Sequence, residues 1–169
     1  MENEFSVRLA TNADRDELTL LKYGIMQNRY QGYLPEKNLS KMDKTYAAGQ
    51  VDAWMQNHAC QVGILFSGNN ARGYVACAPD PEFQDWGLIL DAGALPSVSY
   101  LETEKMLQWA NDVLRAKGCQ HIHMWLLQDN LRARFMIESF GFKAQKELKL
   151  VQIADYTMTE RHYIYPETI

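Results

Sequence analysis

Few side chains in this 169-residue sequence combine a reactive type with a telling spacing. Asp91 ends the apolar run Gly87-Leu-Ile-Leu-Asp91. A carboxylate there could act as a general base, or could cap a turn before Gly93, because Asp is a common turn former. His121 and His123 alternate with Trp125, so one strand face would carry all three. Two histidines could begin a metal site, but no third ligand stands at a recognisable spacing, and a hydrogen-bonded core histidine is the simpler use. Ser99 and Glu102 have the spacing of a capping box, as do Thr11 and Asp14. Arg132 and Arg134 form a close basic pair, suited to a phosphate or to a solvated helix face. Tyr30 and Tyr33 could line a pocket or pack on a sheet edge. Trp54, Trp86 and Trp109 read as core. Cys60, Cys77 and Cys119 have no CxxC spacing and an odd count, which suits free thiols in a reducing compartment, most simply the cytoplasm.

The elements that must position these groups alternate along the chain. A short strand at 6–10 precedes the Thr11 capping box. The helix that follows carries Leu18, Leu21 and Ile25 on one face and ends near Gly32. Leu34-Pro35 breaks the chain, and a second helical region spans 36–57, in two pieces. Runs at 60–66 and 72–78 read as strands joined by Gly68-Asn69, a pair suited to a two-residue turn with positive φ at its first position. Continued through the hairpin, that turn would set Cys60 opposite Cys77 and make them neighbouring thiols. A buried strand at 87–91 follows the Pro79-Asp-Pro81 turn. The next helix starts at Ser99, buries Met106, Trp109, Ala110, Val113 and Leu114, and ends at Gly118. A strand at 120–127, a short helix capped by Asp129-Asn130, and strands at 142–152 and 158–165 complete the order.

The composition is that of an ordinary globule, 47% hydrophobic and 22% charged, with no repeat or linker, so residues 1–169 are expected to form a single domain. No apolar run approaches the roughly 20 residues of a membrane span. The acidic start does not look like a signal peptide. A net charge of −4 argues against nucleic acid as a partner, because phosphate binding wants a basic face. It mildly favours cationic acceptors through steering.

The element order and the segment Asn130-Leu-Arg-Ala133-Arg-Phe-Met-Ile-Glu-Ser-Phe-Gly141-Phe142 resemble the GNAT acetyltransferase superfamily. Its second motif places Asn, Ala and Gly-Phe at the offsets of Asn130, Ala133, Gly141 and Phe142. The opening Val7-Arg-Leu-Ala-Thr-Asn-Ala-Asp14, the stretch Tyr30-Gln-Gly32-Tyr-Leu34-Pro35 and Gly73 are similar to corresponding parts of small GNATs. The resemblance covers nearly the whole chain. It implies an α/β (α+β) fold with a mixed, mostly antiparallel sheet of six to seven strands flanked by about four helices.

It also implies an acetyl-CoA-dependent N-acetyltransferase acting on a small-molecule or protein amine, with no metal. Backbone amides of the strand through Leu88, Ile89, Leu90 and Asp91 would hold the thioester, and Asp91 would take the amine proton through water. Val98, Ser99, Tyr100 and Leu101 would stand at the pyrophosphate, Asn130 and Arg134 near the rest of the cofactor, and Tyr30 and Tyr33 at the acceptor. The chain departs from the family at two places. The loop usually written Arg/Gln-x-x-Gly-x-Gly/Ala is here Val98-Ser-Tyr-Leu-Glu-Thr103, without glycine or base, and Glu102 would sit where the pyrophosphate charge belongs. Ile137 stands where many members carry a Tyr that protonates the leaving thiolate. The alternative is therefore a non-catalytic GNAT-fold binding or dimerisation module that has lost acetyl-CoA. A homodimer through apolar surface at Tyr163, Ile164 and Tyr165 fits either reading.

Overall fold

The computed structural model describes residues 4–166. β1 (Phe5–Leu9) turns into α1 (Arg15–Tyr30) through a short 3-10 turn, Asn12–Asp14. The Asp14 carboxylate accepts from the Thr11 amide at 2.8 Å and from both terminal nitrogens of Arg8, which fixes where the helix begins. The expected second helical region is indeed in two pieces, α2 (Glu36–Leu39) and α3 (Lys44–Gln56). β2 (Gln61–Ser67), β3 (Asn70–Pro79) and β4 (Trp86–Ala94) then run antiparallel. α4 (Tyr100–Ala116) crosses to β5 (His121–Leu127), which pairs with β4 in parallel. After α5 (Leu131–Phe140), β6 (Lys143–Ile153) and β7 (Tyr156–Tyr165) form a hairpin whose second strand inserts beside β5. The seven-stranded sheet has the order β1-β2-β3-β4-β5-β7-β6. The mixed, mostly antiparallel architecture is as expected; among the described residues the α-helices number five because the 36–57 region counts twice.

Helices cover both faces. α4 packs Met106, Leu107, Ala110 and Leu114 against Leu65, Val75, Cys77 and Ile89. α1 and α3 pack Leu18, Leu21, Ile25 and Val51 against Val62, Ile64 and Tyr74. Each such large apolar side chain, fully buried, contributes about 1.5–3 kcal/mol, so truncating one like Leu114 to Ala costs about 2–5 kcal/mol. Among the described residues no helix is long and apolar enough to cross a membrane.

Two extra residues matter more than the regular ladders. The β2–β3 turn forms as its residues predict, with Gly68 at φ +59, Ser67 opposite Asn70 and Phe66 opposite Ala71. Leu65 then faces Gly73, so Arg72 is left over as a bulge. One extra residue shifts the register and sends later side chains to the other face. Cys77 consequently faces Gln61, not Cys60. Cys77 lies in the core under α4, whereas Cys60 borders the core under α1 and α3, so the expected face-to-face pairing is wrong, although the Cys60 thiol still lies against the Cys77 backbone. The second bulge is in β4: Ile89 faces Cys77 and Asp91 faces Ala76, leaving Leu90 unpaired.

The far edge also corrects the sequence reading. Tyr163 is 2% exposed and Tyr165 packs on the same core, so the apolar surface expected there is interior. The exposed apolar side chains at this edge are Leu148 and Leu150 of β6.

Candidate active site

β4 and β5 pair over only four positions, Trp86 with His121 through Ile89 with Met124. Beyond Ile89 the strands separate, at the same point where Leu90 bulges. From there β4 pairs with a strand on its β3 side alone, and its other row of amides and carbonyls has no strand to pair with. A cavity of about 520 Å³ fills the gap between residues 89–94 and 124–127. It runs through the sheet. At one end it meets Val98 and Thr103 at the start of α4 and Asn130 and Ile137 on α5; at the other it meets Lys22, Arg29, Tyr30 and Trp54.

On the α1 side, three side chains from two elements, α1 and β3, converge on Asp91. Its Oδ2 accepts from Lys22 Nζ at 2.7 Å and from the Tyr74 hydroxyl at 2.8 Å; its Oδ1 accepts from Arg29 Nη1 at 3.1 Å. Arg29 Nη2 also donates to the Ala92 carbonyl at 2.6 Å. Gly93 makes this approach possible, since a Cβ there would stand 2.6 Å from Arg29 Nη2. Burial by itself would push the Asp91 carboxyl up, but Lys22 and Arg29 outweigh it and hold the group well below the usual carboxylate range. An acid so held is ionised at any ordinary pH, and its lone pairs are occupied. It is an electrostatic anchor in mid-strand, not the turn cap before Gly93, and a poor match for a base that must accept a proton near neutrality. Burial, then the Asp91 charge, keeps the Tyr74 phenol protonated.

A second carboxylate lines the cavity from the opposite wall. Among the described residues, Glu160 of β7 has Lys149 Nζ as its one ion-pair partner, at 3.8 Å. Burial raises its pKa, Lys149 opposes, and Asp91 adds to the rise. Near it, Trp125 stacks on His162, and His162 Nε2 lies 2.9 Å from His123 Nδ1. His123 Nε2 lies 2.6 Å from Asp80 Oδ2, so both buried ring nitrogens are satisfied. Among the described residues no three His, Cys, Asp or Glu side chains converge as a metal site.

The start of α4 is capped as its residues predict. Ser99 Oγ accepts from the Glu102 amide at 3.2 Å, and Glu102 Oε1 accepts from the Ser99 amide at 3.3 Å. The Glu102 carboxylate, however, is turned onto the bulged Arg72, whose Nε donates at 2.9 Å. Both side chains are largely buried, at 12% and 24% exposure, and Glu102 does not line the cavity. Burial would raise the Glu102 carboxyl, but Arg72 and the Ser99 amide lower it. Arg132 ties α5 to the same loop through the Pro96 carbonyl at 2.9 Å.

The sequence matches no family model and no curated protein. Solved structures do match. A probable acetyltransferase from Staphylococcus epidermidis superposes with a TM-score of 0.75 at 11% identity, covering 96% of this chain and 98% of that one. The PaiA N-acetyltransferase from Thermoplasma acidophilum, in complex with coenzyme A, gives 0.71 at 14% identity over 96% and 99%. The ribosomal-protein-S18-alanine N-acetyltransferase from Escherichia coli gives 0.66 at 14% identity over 98% and 96%. The chain has the GNAT fold.

Against that fold, the residues expected from the resemblance divide in two. Ile89, Leu90, Asp91, Val98, Asn130 and Tyr30 all line the cavity. Leu88, Ser99, Tyr100, Leu101, Tyr33 and Arg134 do not. Leu88 pairs with His123 inside the ladder, Tyr33 is exposed, and Arg134 bonds Glu138 at 3.2 Å on the surface of α5. Tyr100 and Leu101 do supply first-turn amides that have no partner within a helix. Asn130 caps α5 by accepting from the Ala133 amide. Ile137 brings a buried apolar group, not a hydroxyl, to the wall. Trp54 is half-buried: it packs against the core under α1 and also lines the cavity. The reading of the sequence missed Lys22, Arg29 and Glu160. The first two had a signal: Leu18, Lys22, Ile25 and Arg29 form one helical stripe, and cations do not belong on a buried stripe without a partner.

Proposed function

We propose that the protein is an acetyl-CoA-dependent N-acetyltransferase acting on an amine. The observation that carries this is the open passage through the sheet where β4 and β5 separate, with the Glu102 carboxylate withdrawn onto Arg72. A pantetheine arm fits such a slot, because the unpaired backbone row of β4 can bond its amides. The likeness to a coenzyme A complex supports the same occupant. The uncovered first-turn amides of α4 suit a pyrophosphate, and the exposed Leu101, Leu131 and Phe135 leave apolar surface at that end.

Acetyl-CoA supplies an acyl group already activated as a thioester. This chain's part is chiefly to hold amine and carbonyl in line within a narrow passage. An unpaired β4 amide donates to the carbonyl oxygen as charge develops there. The amine nitrogen bonds to the acyl carbon, the carbon–sulfur bond breaks, and the amine proton passes to Glu160, whose raised pKa suits it better than Asp91. With Ile137 on the wall, water protonates the leaving thiolate, whose pKa of about 8.5 makes that feasible.

Thermal melting with excess acetyl-CoA tests the reading. At 100 times its Kd the ligand adds about 2.7 kcal/mol, which for a chain of this size raises Tm by about 5–10 °C. No shift at millimolar concentration removes the proposal. One feature favours a second reading, a binding module without cofactor: no glycine stands between Gly93 and Gly118 to let a pyrophosphate approach. Endogenous CoA found by mass spectrometry in purified protein eliminates it. In either reading a homodimer would use the β6 edge with Leu148 and Leu150, and sedimentation of a monomer at high concentration refutes that.

A further inference from the structure

The α1 end of the cavity is unbalanced in charge. Lys22 and Arg29 are both cations, and both bond the one carboxylate of Asp91. Glu160 does not restore the balance, because its ion pair is with Lys149. Lys22 is 3% exposed, and its Nζ stands 4.9 Å from the Trp54 ring centre and 5.3 Å from that of Tyr74. Neither ring supplies a countercharge. One net positive charge is therefore held inside a cavity wide enough for a ligand. Such a charge is costly unless an anion or water answers it.

The polarity of the passage has two poles. The cationic pole lies on α1 and β4, at Lys22, Arg29 and Asp91; the acidic pole lies on β7, at Glu160, whose pair with the exposed Lys149 is long at 3.8 Å and leaves room for a closer cation. Both line the same cavity on its acceptor side, away from the start of α4. An acceptor with an amine at Glu160 and a carboxylate at Arg29 and Lys22 would answer both. The Arg29 guanidinium bonds Asp91 through Nη1, Ala92 through Nη2 and also the Tyr30 hydroxyl, and its five N–H hydrogens outnumber these three bonds. This local arrangement opposes the steering expected from the overall charge of −4, which favours cationic acceptors. At short range inside a cavity the local pair decides, because surface charges are screened over about 10 Å in salt.

We infer that the acceptor is an amine that also bears a carboxylate, an amino acid, with its carboxylate seated on Arg29 and Lys22 and its amine facing Glu160. This rests on the acetyltransferase reading and narrows it. The amine loses its proton to Glu160, forms the bond to the acyl carbon and displaces the thiolate, while the carboxylate takes no part in the chemistry.

The test uses matched pairs. The purified chain is assayed for thiol release from acetyl-CoA with each of the common amino acids, with its decarboxylated amine, and with its carboxamide. Calorimetric titration with CoA is done on the same preparation. The expected result is at least one amino acid whose kcat/KM exceeds that of both partners by about tenfold or more, the scale of a lost charge-assisted hydrogen bond. Arg29→Met should bring that ratio towards one, and the wild-type pairs stand alone should the variant fail to fold. If CoA binds and the amines or carboxamides are turned over as well as or better than the acids, the inference is overturned while the transferase reading survives. If CoA binds and no amino acid is acetylated, the inference is likewise overturned. If CoA does not bind, both fall together.

Discussion

Replacing Glu102 by Ala separates a helix cap from a gate. In the structure this carboxylate accepts from Arg72 through Nε at 2.9 Å and Nη2 at 3.4 Å, accepts from the Ser99 amide at 3.3 Å and hydroxyl at 3.2 Å, and stays off the cavity wall. The Arg72 contact is charge-assisted and mostly sheltered from water, so losing it costs about 1.5–3 kcal/mol. The Ser99 back-bond is long and adds a few tenths, which the better helix propensity of Ala roughly returns. The net is about 2 kcal/mol, and Tm should fall by about 4–8 °C. The forward bond, Ser99 Oγ to the Glu102 amide, survives the change. CoA affinity measured by calorimetry should stay within about threefold, or ~0.7 kcal/mol, because no carboxylate leaves the passage. An unchanged Tm together with affinity improved tenfold or more would show that Glu102 guards the slot, and the account of a withdrawn carboxylate would be wrong.

Asn111 on α4 is 2% exposed and neither its amide nitrogen nor its carbonyl oxygen has a protein partner, so Asn111→Leu should stabilise by about 1–2 kcal/mol and raise Tm by a few degrees; a lower Tm refutes the deficit. Glu160→Gln should lower kcat by about 10²–10⁴ and flatten the acid limb of the pH–rate profile, and full activity would return the proton to water. Acid should unfold the protein in a defined window. Asp14, mainly through its bonds to Arg8, and Asp80 and Asp91, against the burial that would raise them, are all held below 3.8, so the folded state binds fewer protons than the unfolded chain there. Their stabilisation is fully present above about pH 4 and is lost as pH falls through their lowered values. The urea midpoint should drop steadily between about pH 4 and pH 2, and a flat profile contradicts the ion pairs.

Local signals in the sequence translated directly. Thr11 with Asp14 and Ser99 with Glu102 cap helices because each box is closed by residues three apart, and Gly68-Asn69 turns because the first position needs positive φ. Asn130, Ala133 and Gly141-Phe142 placed α5 and its exit for the same reason. What could not be read was set by bulges and by contacts distant in sequence. Arg72 meets Glu102 across 30 residues, and only because it is the extra residue of its hairpin; the same slip parts Cys60 from Cys77. Asp91 was legible as a charge at a strand end, but its meaning depends on Lys22 and Arg29, more than 60 positions away. Glu160 lies on a strand whose face toward the cavity is fixed only once β7 inserts beside β5.

Among the described residues, the four rungs joining β4 to β5 are the sheet's one parallel seam, and they sit at a single end of it. Mechanically the molecule is two antiparallel leaves stapled along one margin, with a wedge-shaped opening at the other. Whatever lodges in that wedge replaces the missing rungs and braces the leaves against each other. Slowed amide hydrogen exchange at Ala92, whose amide faces the gap, would therefore report an occupant even where no product forms.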